Sequence, residues 1–185
     1  MKKRMNRMIG ILLTLVMLVS LLPAPVQAAT AITPKTPAGS GTAVDPYRIG
    51  TAAELYGFAE IVNGDKDAHA ILTADITVNE NVLSDYGQAT GNGFVVWDPI
   101  NLYEGVFDGR GHTISGLYIW YTSDNHYDHC GFFEVVRGVV RDLTISDSYY
   151  RVNYGYYTNS NGIATTTSNR NIGGICGELE STGTV

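Results

Sequence analysis

The sequence predicts an all-β solenoid with one short α-helix near its start, and three observations predict it. After residue 64, apolar residues alternate with polar ones over short runs, as in Asp75-Ile76-Thr77-Val78. Glycines punctuate the spaces between such runs, at Gly87, Gly91, Gly93, Gly109 and Gly111. A pattern also recurs. Gly105-Val106-Phe107 with Ile114, Leu117 and Ile119 is met again, about 26 residues later, as Gly131-Phe132-Phe133 with Val140, Leu143 and Ile145. A third copy opens at Gly174-Ile175-Cys176, delayed by the tyrosine-rich stretch that begins at Asp147.

A unit of this size cannot bury its apolar face alone, whereas units stacked one above another bury a continuous core. The expected stack sets Phe107 over Phe133, Ile114 over Val140, Leu117 over Leu143 and Ile119 over Ile145. A compact sandwich also suits strands at this density. The fixed register of the pairs favours a parallel stack. A helical fold fails, because glycine is too frequent and the 3.6-residue period is absent.

Taken in order, the chain opens with a positive head, Lys2, Lys3, Arg4 and Arg7. An apolar run from Met8 to Leu22 follows, and then the small-residue exit Val26-Gln27-Ala28. These are the three parts of a secretory signal peptide, residues 1–28. The run is roughly 15 residues, short for a bilayer-spanning helix of about 20. Residues 29–44, rich in Ala, Thr, Pro, Gly and Ser, read as a flexible lead-in. The solenoid domain occupies residues 45–185. Thr51 and Glu54 form a capping box, Leu55, Phe58, Ala59 and Val62 share one face, and Asn63-Gly64 is a stop; a helix is expected over residues 52–62. Repeats begin near residues 105, 131 and 174. The third copy halts at Val185, before any counterpart of Leu143 and Ile145. The expectation is therefore the N-terminal part of a longer surface protein, or a truncated remnant of one, with downstream domains.

Charge narrows the partners. Four of the 12 basic residues belong to the signal, and all 18 acids follow it, so the mature chain carries about −10. That argues against nucleic acid, whose phosphates need a basic footprint, and against an anionic membrane surface for the mature form. Cys130 and Cys176 are the two cysteines. Export permits a disulfide between them, although a single pair is no disulfide framework. Cys176 aligns with Phe133 and reads as a small apolar core residue.

Several motifs stand in a familiar order: Gly39-Ser40-Gly41-Thr42, Asp45-Pro46-Tyr47, the helix, Leu72 to Val78, Trp97-Asp98-Pro99-Ile100, and Phe107-Asp108-Gly109-Arg110-Gly111-His112-Thr113-Ile114-Ser115-Gly116-Leu117. Over roughly residues 38–185 this order resembles the bacterial GLUG-repeat surface proteins, whose short repeat looks like Ile172-Gly173-Gly174-Ile175-Cys176-Gly177. Glu134 departs from the pattern, standing where the repeat closes on glycine. The resemblance implies a right-handed parallel β-helix, capped at its N-terminal end, in large secreted or wall-attached proteins.

Candidate chemistry is sparse. Asp108 and His112 offer an acid/base pair on the functional reading and a glycine-rich corner on the structural one. Asp124, His126, Asp128 and His129 sit close together beside Cys130, but no second ligand group accompanies them, so no metal and no cofactor are expected. Asp98, Asp108 and Asp142 are the carboxylates a polysaccharide lyase or hydrolase would need, by type alone. Tyr149, Tyr150, Tyr154, Tyr156 and Tyr157 crowd the inserted stretch beside Asn153, Asn159 and Asn161. Tyrosine offers a large rigid face with a polar tip, suited to adhesive or sugar-stacking contact. The sequence thus points to a non-catalytic extracellular module, structural or adhesive, contacting carbohydrate or a host or cell-wall surface. The alternative is a carbohydrate-active β-helix enzyme.

Overall fold

The computed structural model describes residues 31–83, 93–121, 129–152, 157–158, 164–165 and 171–185. The signal segment lies outside them. Among the described residues the chain is all-β with one helix. Its strands are β1 (Tyr47–Ile49), β2 (Ala70–Leu72), β3 (Ile76–Thr77), β4 (Ile100–Tyr103), β5 (Val106–Asp108), β6 (Thr113–Ser115), β7 (Tyr118–Tyr121) and β8 (His129–Cys130). They continue as β9 (Phe133–Val136), β10 (Val139–Arg141), β11 (Thr144–Ser146), β12 (Tyr149–Val152), β13 (Tyr157–Thr158), β14 (Ala164–Thr165), β15 (Asn171–Ile172) and β16 (Cys176–Leu179).

The helix α1 (Ala52–Val62) falls where the capping box puts it. The Thr51 hydroxyl accepts from the Glu54 N–H at 3.2 Å, and the Glu54 carboxylate accepts from the Gly50 N–H at 3.0 Å. Lys35 closes the motif by an ion pair to Glu54 at 2.8 Å. The stripe of Leu55, Phe58 and Val62 is fully buried. The Phe58 ring packs edge-on against Tyr103 and tilts against Phe107, with centroids 6.2 and 5.8 Å away. Aromatic pairs in this geometry add about 0.5–1.5 kcal/mol each beyond burial.

Residues 29–44, expected as a flexible lead-in, make backbone contacts with the fold from Lys35 onward. The Lys35 N–H donates to the Ala53 carbonyl, Ala38 bridges Arg48, and the Gly41 carbonyl accepts from His69.

Five open sheets are parallel: β1-β2-β5-β10, β11-β6-β3, β12-β7, β15-β8 and β16-β9-β4. One small pair, β13-β14, is antiparallel. From β4 to β8 the chain enters all five parallel sheets in turn. The next pass, β9 to β12, re-enters four of them in the same order, and β15 and β16 return to the sheets of β8 and β9. Phe107, Phe132, Phe133, Ile114, Leu117 and Ile119 are buried together in the resulting core.

The strand register differs from the expected one. Phe107 lies beside Val140, Ile114 beside Ile145, Ile119 beside Tyr150, and Ile100 beside Phe133. Of the expected alignments, Cys176 beside Phe133 is found. The Gly-x-Phe likeness of residues 105–107 and 131–133 is therefore local: Gly105 neighbours Gly138 rather than Gly131. The physical reason is that a full pass takes 33 residues from Phe107 to Val140 and 31 from Ile114 to Ile145, so a step of about 26 residues from Phe107 stops one strand short, in another sheet. Phe107 and Phe133 still touch inside the core, with ring centroids 5.7 Å apart.

Two side-chain devices lock the passes. Arg137 reaches Glu180 at 2.8 Å and Glu104 at 3.4 Å, spanning three successive passes. Asn79 accepts from the Val95 N–H at 2.7 Å and donates to the Val95 and Gly116 carbonyls at 2.9 and 2.8 Å.

Candidate functional site

The chain turns from β5 to β6 through Asp108-Gly109-Arg110-Gly111-His112. Arg110 and Gly111 take positive φ, 50° and 78°, which turns the backbone sharply. At Gly109 a side chain would run into the Asp142 carbonyl, so the two successive corners nest only because Gly109 has none. Asp108 accepts from the Arg110 N–H at 2.9 Å and from the Arg141 guanidinium at 2.8 Å. Burial pushes the Asp108 carboxyl up, but Arg141 and the Arg110 N–H outweigh it and hold the group below the usual carboxylate range. His112 turns the other way, to Asp75 at 3.1 Å. The Thr113 N–H donates to the same Asp75 oxygen at 2.9 Å, and this bond first, then His112, lowers the Asp75 carboxyl. Asp108 and His112 thus have separate structural partners, as the corner reading expects.

The three candidate carboxylates do not converge. Asp108 and Asp142 line one open depression of about 640 Å³ with Arg110, Gly111, Leu143 and Thr144. Asp98 lines a different one beside α1, with Tyr56, Glu60 and Trp97. There the Tyr56 hydroxyl donates to the Val96 carbonyl at 2.9 Å, and its ring meets Trp97 edge-on at 5.1 Å. Burial first, and then the Asp98 charge, pushes the Tyr56 phenol up.

The candidate tyrosines divide. Tyr149 lies beside Tyr118 across β12 and β7, with centroids 5.8 Å apart and planes 16° from parallel. Tyr118 in turn stacks on Trp120 at 6.0 Å. Tyr150 lies beside the buried Ile119, packs against the core, and donates its hydroxyl to the Gly174 carbonyl at 2.9 Å. Burial raises its phenol above the usual tyrosine range. Tyr157 belongs to β13, opposite Thr165. Tyr154 and Tyr156, with Asn153, Asn159 and Asn161, lie outside the described residues. The aromatic row of Trp120, Tyr118 and Tyr149 was missed in part. Its signal was Tyr118-x-Trp120, two aromatics one strand period apart and so on one face of β7.

Of the candidate metal ligands, Asp124, His126 and Asp128 lie outside the described residues. His129 pairs with Glu178 at 2.7 Å, across β8 and β16. Cys130 is buried and its thiol is pushed up to about 11, by burial first and the nearby Glu134 second. Cys176 is half-buried and its thiol is likewise raised by burial. Among the described residues no group of three or more His, Cys, Asp or Glu is placed to hold a metal ion.

The chain is 33% identical over 120 residues to a protein of Evansella cellulosilytica described as a Gly-rich membrane protein. The match covers 62% of this chain and 12% of that relative, so the chain spans a small fraction of its length. No protein-family model matches the chain, and no solved structure does. Among the described residues no helix is long and apolar enough to cross a membrane.

Proposed function

We propose that the chain is a non-catalytic extracellular module of a bacterial surface protein, structural or adhesive, folded as a right-handed parallel β-helix of the GLUG-repeat kind. The observation that carries this reading is the return of successive passes to the same parallel sheets in the same order. Stacked passes of this kind build an extended, ladder-bonded rod whose side chains face solvent along its walls. In this reading α1 is the N-terminal cap, since it lays its apolar stripe on Tyr103 and Phe107 of the first complete pass. The signal-like residues 1–28 route the chain out of the cytoplasm. The relative's description as a membrane protein is in keeping with a place at the cell surface.

The non-catalytic part rests on how the carboxylates are used. Asp108 pairs with Arg141 and Asp75 with His112, and each accepts a backbone N–H at a corner. A general acid or base needs a free proton-transfer direction toward substrate. The contact surface is the wall that carries Trp120 and Tyr149, and its partners are carbohydrate or a cell-wall or host surface. No cofactor is called for.

Binding of the purified mature chain to a panel of wall and host polysaccharides tests the reading. Retention on at least one polysaccharide without release of sugar, weakened in Tyr149→Ala, is the expected result. Sugar release abolished by Asp108→Asn or Asp142→Asn would put the β-helix enzyme in its place.

A further inference from the structure

Cys130 and Cys176 belong to consecutive passes that touch where the two residues lie. Ile172 pairs with Cys130 in one parallel sheet, and Cys176 pairs with Phe133 in the next. A Cβ built on Gly131 would stand 2.9 Å from the Cys176 Cα. A Cβ built on Gly177 would meet the Cys130 amide nitrogen before any other atom. Each cysteine's neighbour therefore presses on the other cysteine's backbone. With one bond of about 1.5 Å and one Cα step of about 3.8 Å added to the first contact, the two cysteine Cα atoms are at most about 8 Å apart. The second contact, one N–Cα bond longer, sets no tighter limit, and in this structure both thiols are free. A disulfide spans roughly 4.4–6.8 Å between Cα atoms. Both side chains also face one interior: Cys130 is 2% exposed and sits in the core cluster, and Cys176 packs against that cluster.

We propose that Cys130 and Cys176 form a disulfide that staples the second pass to the third once the chain meets an oxidising disulfide donor. The bond closes the segment bearing the tyrosine-rich stretch at its two ends. This inference goes beyond the adhesive reading and does not depend on it.

The chemistry balances with a small-molecule disulfide as the oxidant. Cys176, the more exposed, loses its proton to solvent, and its thiolate attacks one sulfur of the donor. That forms a mixed disulfide and expels one donor thiolate. The Cys130 thiolate then attacks the Cys176 sulfur, forming the internal S–S bond and expelling the second donor thiolate. Two cysteine thiols are oxidised, and one donor disulfide is reduced to two thiols. Because the Cys130 thiol is pushed up to about 11, the second step is slow at neutral pH and accelerates as pH rises.

The test uses the purified chain treated with glutathione disulfide at pH 8.5, alkylated, digested without reduction and read by mass spectrometry. The expected product is one linked peptide pair containing Cys130 and Cys176 within a monomer. Its formation raises the thermal midpoint by roughly 5–10 °C, and dithiothreitol reverses the rise. Cys130→Ser and Cys176→Ser each lose the linkage and the rise. Alkyl or glutathione adducts on both cysteines without a linked pair, or linkage between chains alone, overturns the proposal. The mapping on the unaltered chain stands even where a serine variant folds poorly.

Discussion

The Tyr150 hydroxyl donates to the Gly174 carbonyl at 2.9 Å, so a residue of the second pass closes a backbone group of the third. The ring is half-buried and leans on the core from the position beside Ile119. Its role is structural, and this separates it from its neighbour Tyr149. Tyr150→Phe keeps the packing and leaves the Gly174 carbonyl with the Phe132 N–H alone, at 3.3 Å, at a cost of about 1 kcal/mol. Thermal denaturation should show the midpoint falling by roughly 2–4 °C while retention on polysaccharide is unchanged. Lost retention at full stability would return Tyr150 to the contact surface.

Phe58 has no exposed surface and touches Tyr47, Tyr103 and Phe107. Phe58→Ala removes a ring from the place where α1 meets the first strands, and should cost about 3–5 kcal/mol. Phe58→Asp buries an unpaired charge there and should abolish cooperative unfolding altogether. Circular dichroism melts read both. A midpoint within 2–3 °C of the unaltered chain for either variant would mean that α1 is not part of the cooperative core.

What could be read from the sequence follows the range of the interaction that fixes it. The capping box at Thr51 and Glu54 is local, and α1 starts and stops where it says. The all-β character is also local, being written in alternation and glycine. Register is not local. Gly105-Val106-Phe107 and Gly131-Phe132-Phe133 look alike because both combine a corner glycine with core aromatics, yet they occupy different sheets. The better marker was Thr113-Ile114-Ser115 against Thr144-Ile145-Ser146, an identical triplet at a longer spacing that lies in register. The spacing is not constant, since Phe107 to Val140 is longer than Ile114 to Ile145; the first pass carries a wider corner at Asp108 to His112. At the candidate site, the corner role of Asp108 was legible from its glycines. Its ion pair with Arg141 was not, because it depends on that register.

Acid should weaken the fold through carboxylates whose protons leave more readily once folded. Glu54 is held low by the Lys35 ammonium and then the Gly50 N–H. Asp75 is held low by the Thr113 N–H and then His112. Asp108 is pushed up by burial, but Arg141 and the Arg110 N–H carry it below the usual range. A group whose pKa is depressed by folding contributes stability that is complete above its unfolded value, about 3.9–4.3 for these residues. That contribution is lost as pH falls through the folded value. Thermal midpoints should therefore drop as pH passes below about 4. Asp108→Asn should show a shallower drop than the unaltered chain. Parallel curves for the two would remove Asp108 from the account.

The register itself makes the last prediction. Thr113 and Thr144 are Cα partners in the parallel pair of β6 and β11. Adjacent strands run about 4.8 Å apart, within the Cα separation a disulfide accepts. Thr113 is half-buried and Thr144 exposed, so an oxidant reaches the pair. In a chain also carrying Cys130→Ser and Cys176→Ser, the double substitution Thr113→Cys with Thr144→Cys should cross-link within the monomer under mild oxidation. The spacing of about 26 residues instead sets Thr113 against Val139. Val139 in fact pairs with Val106 in another sheet. Thr113→Cys with Val139→Cys should therefore stay reduced under the same conditions. A diagonal gel with and without reductant separates the two cases. Cross-linking of the Val139 pair and not the Thr144 pair would restore the shorter repeat and overturn the strand register.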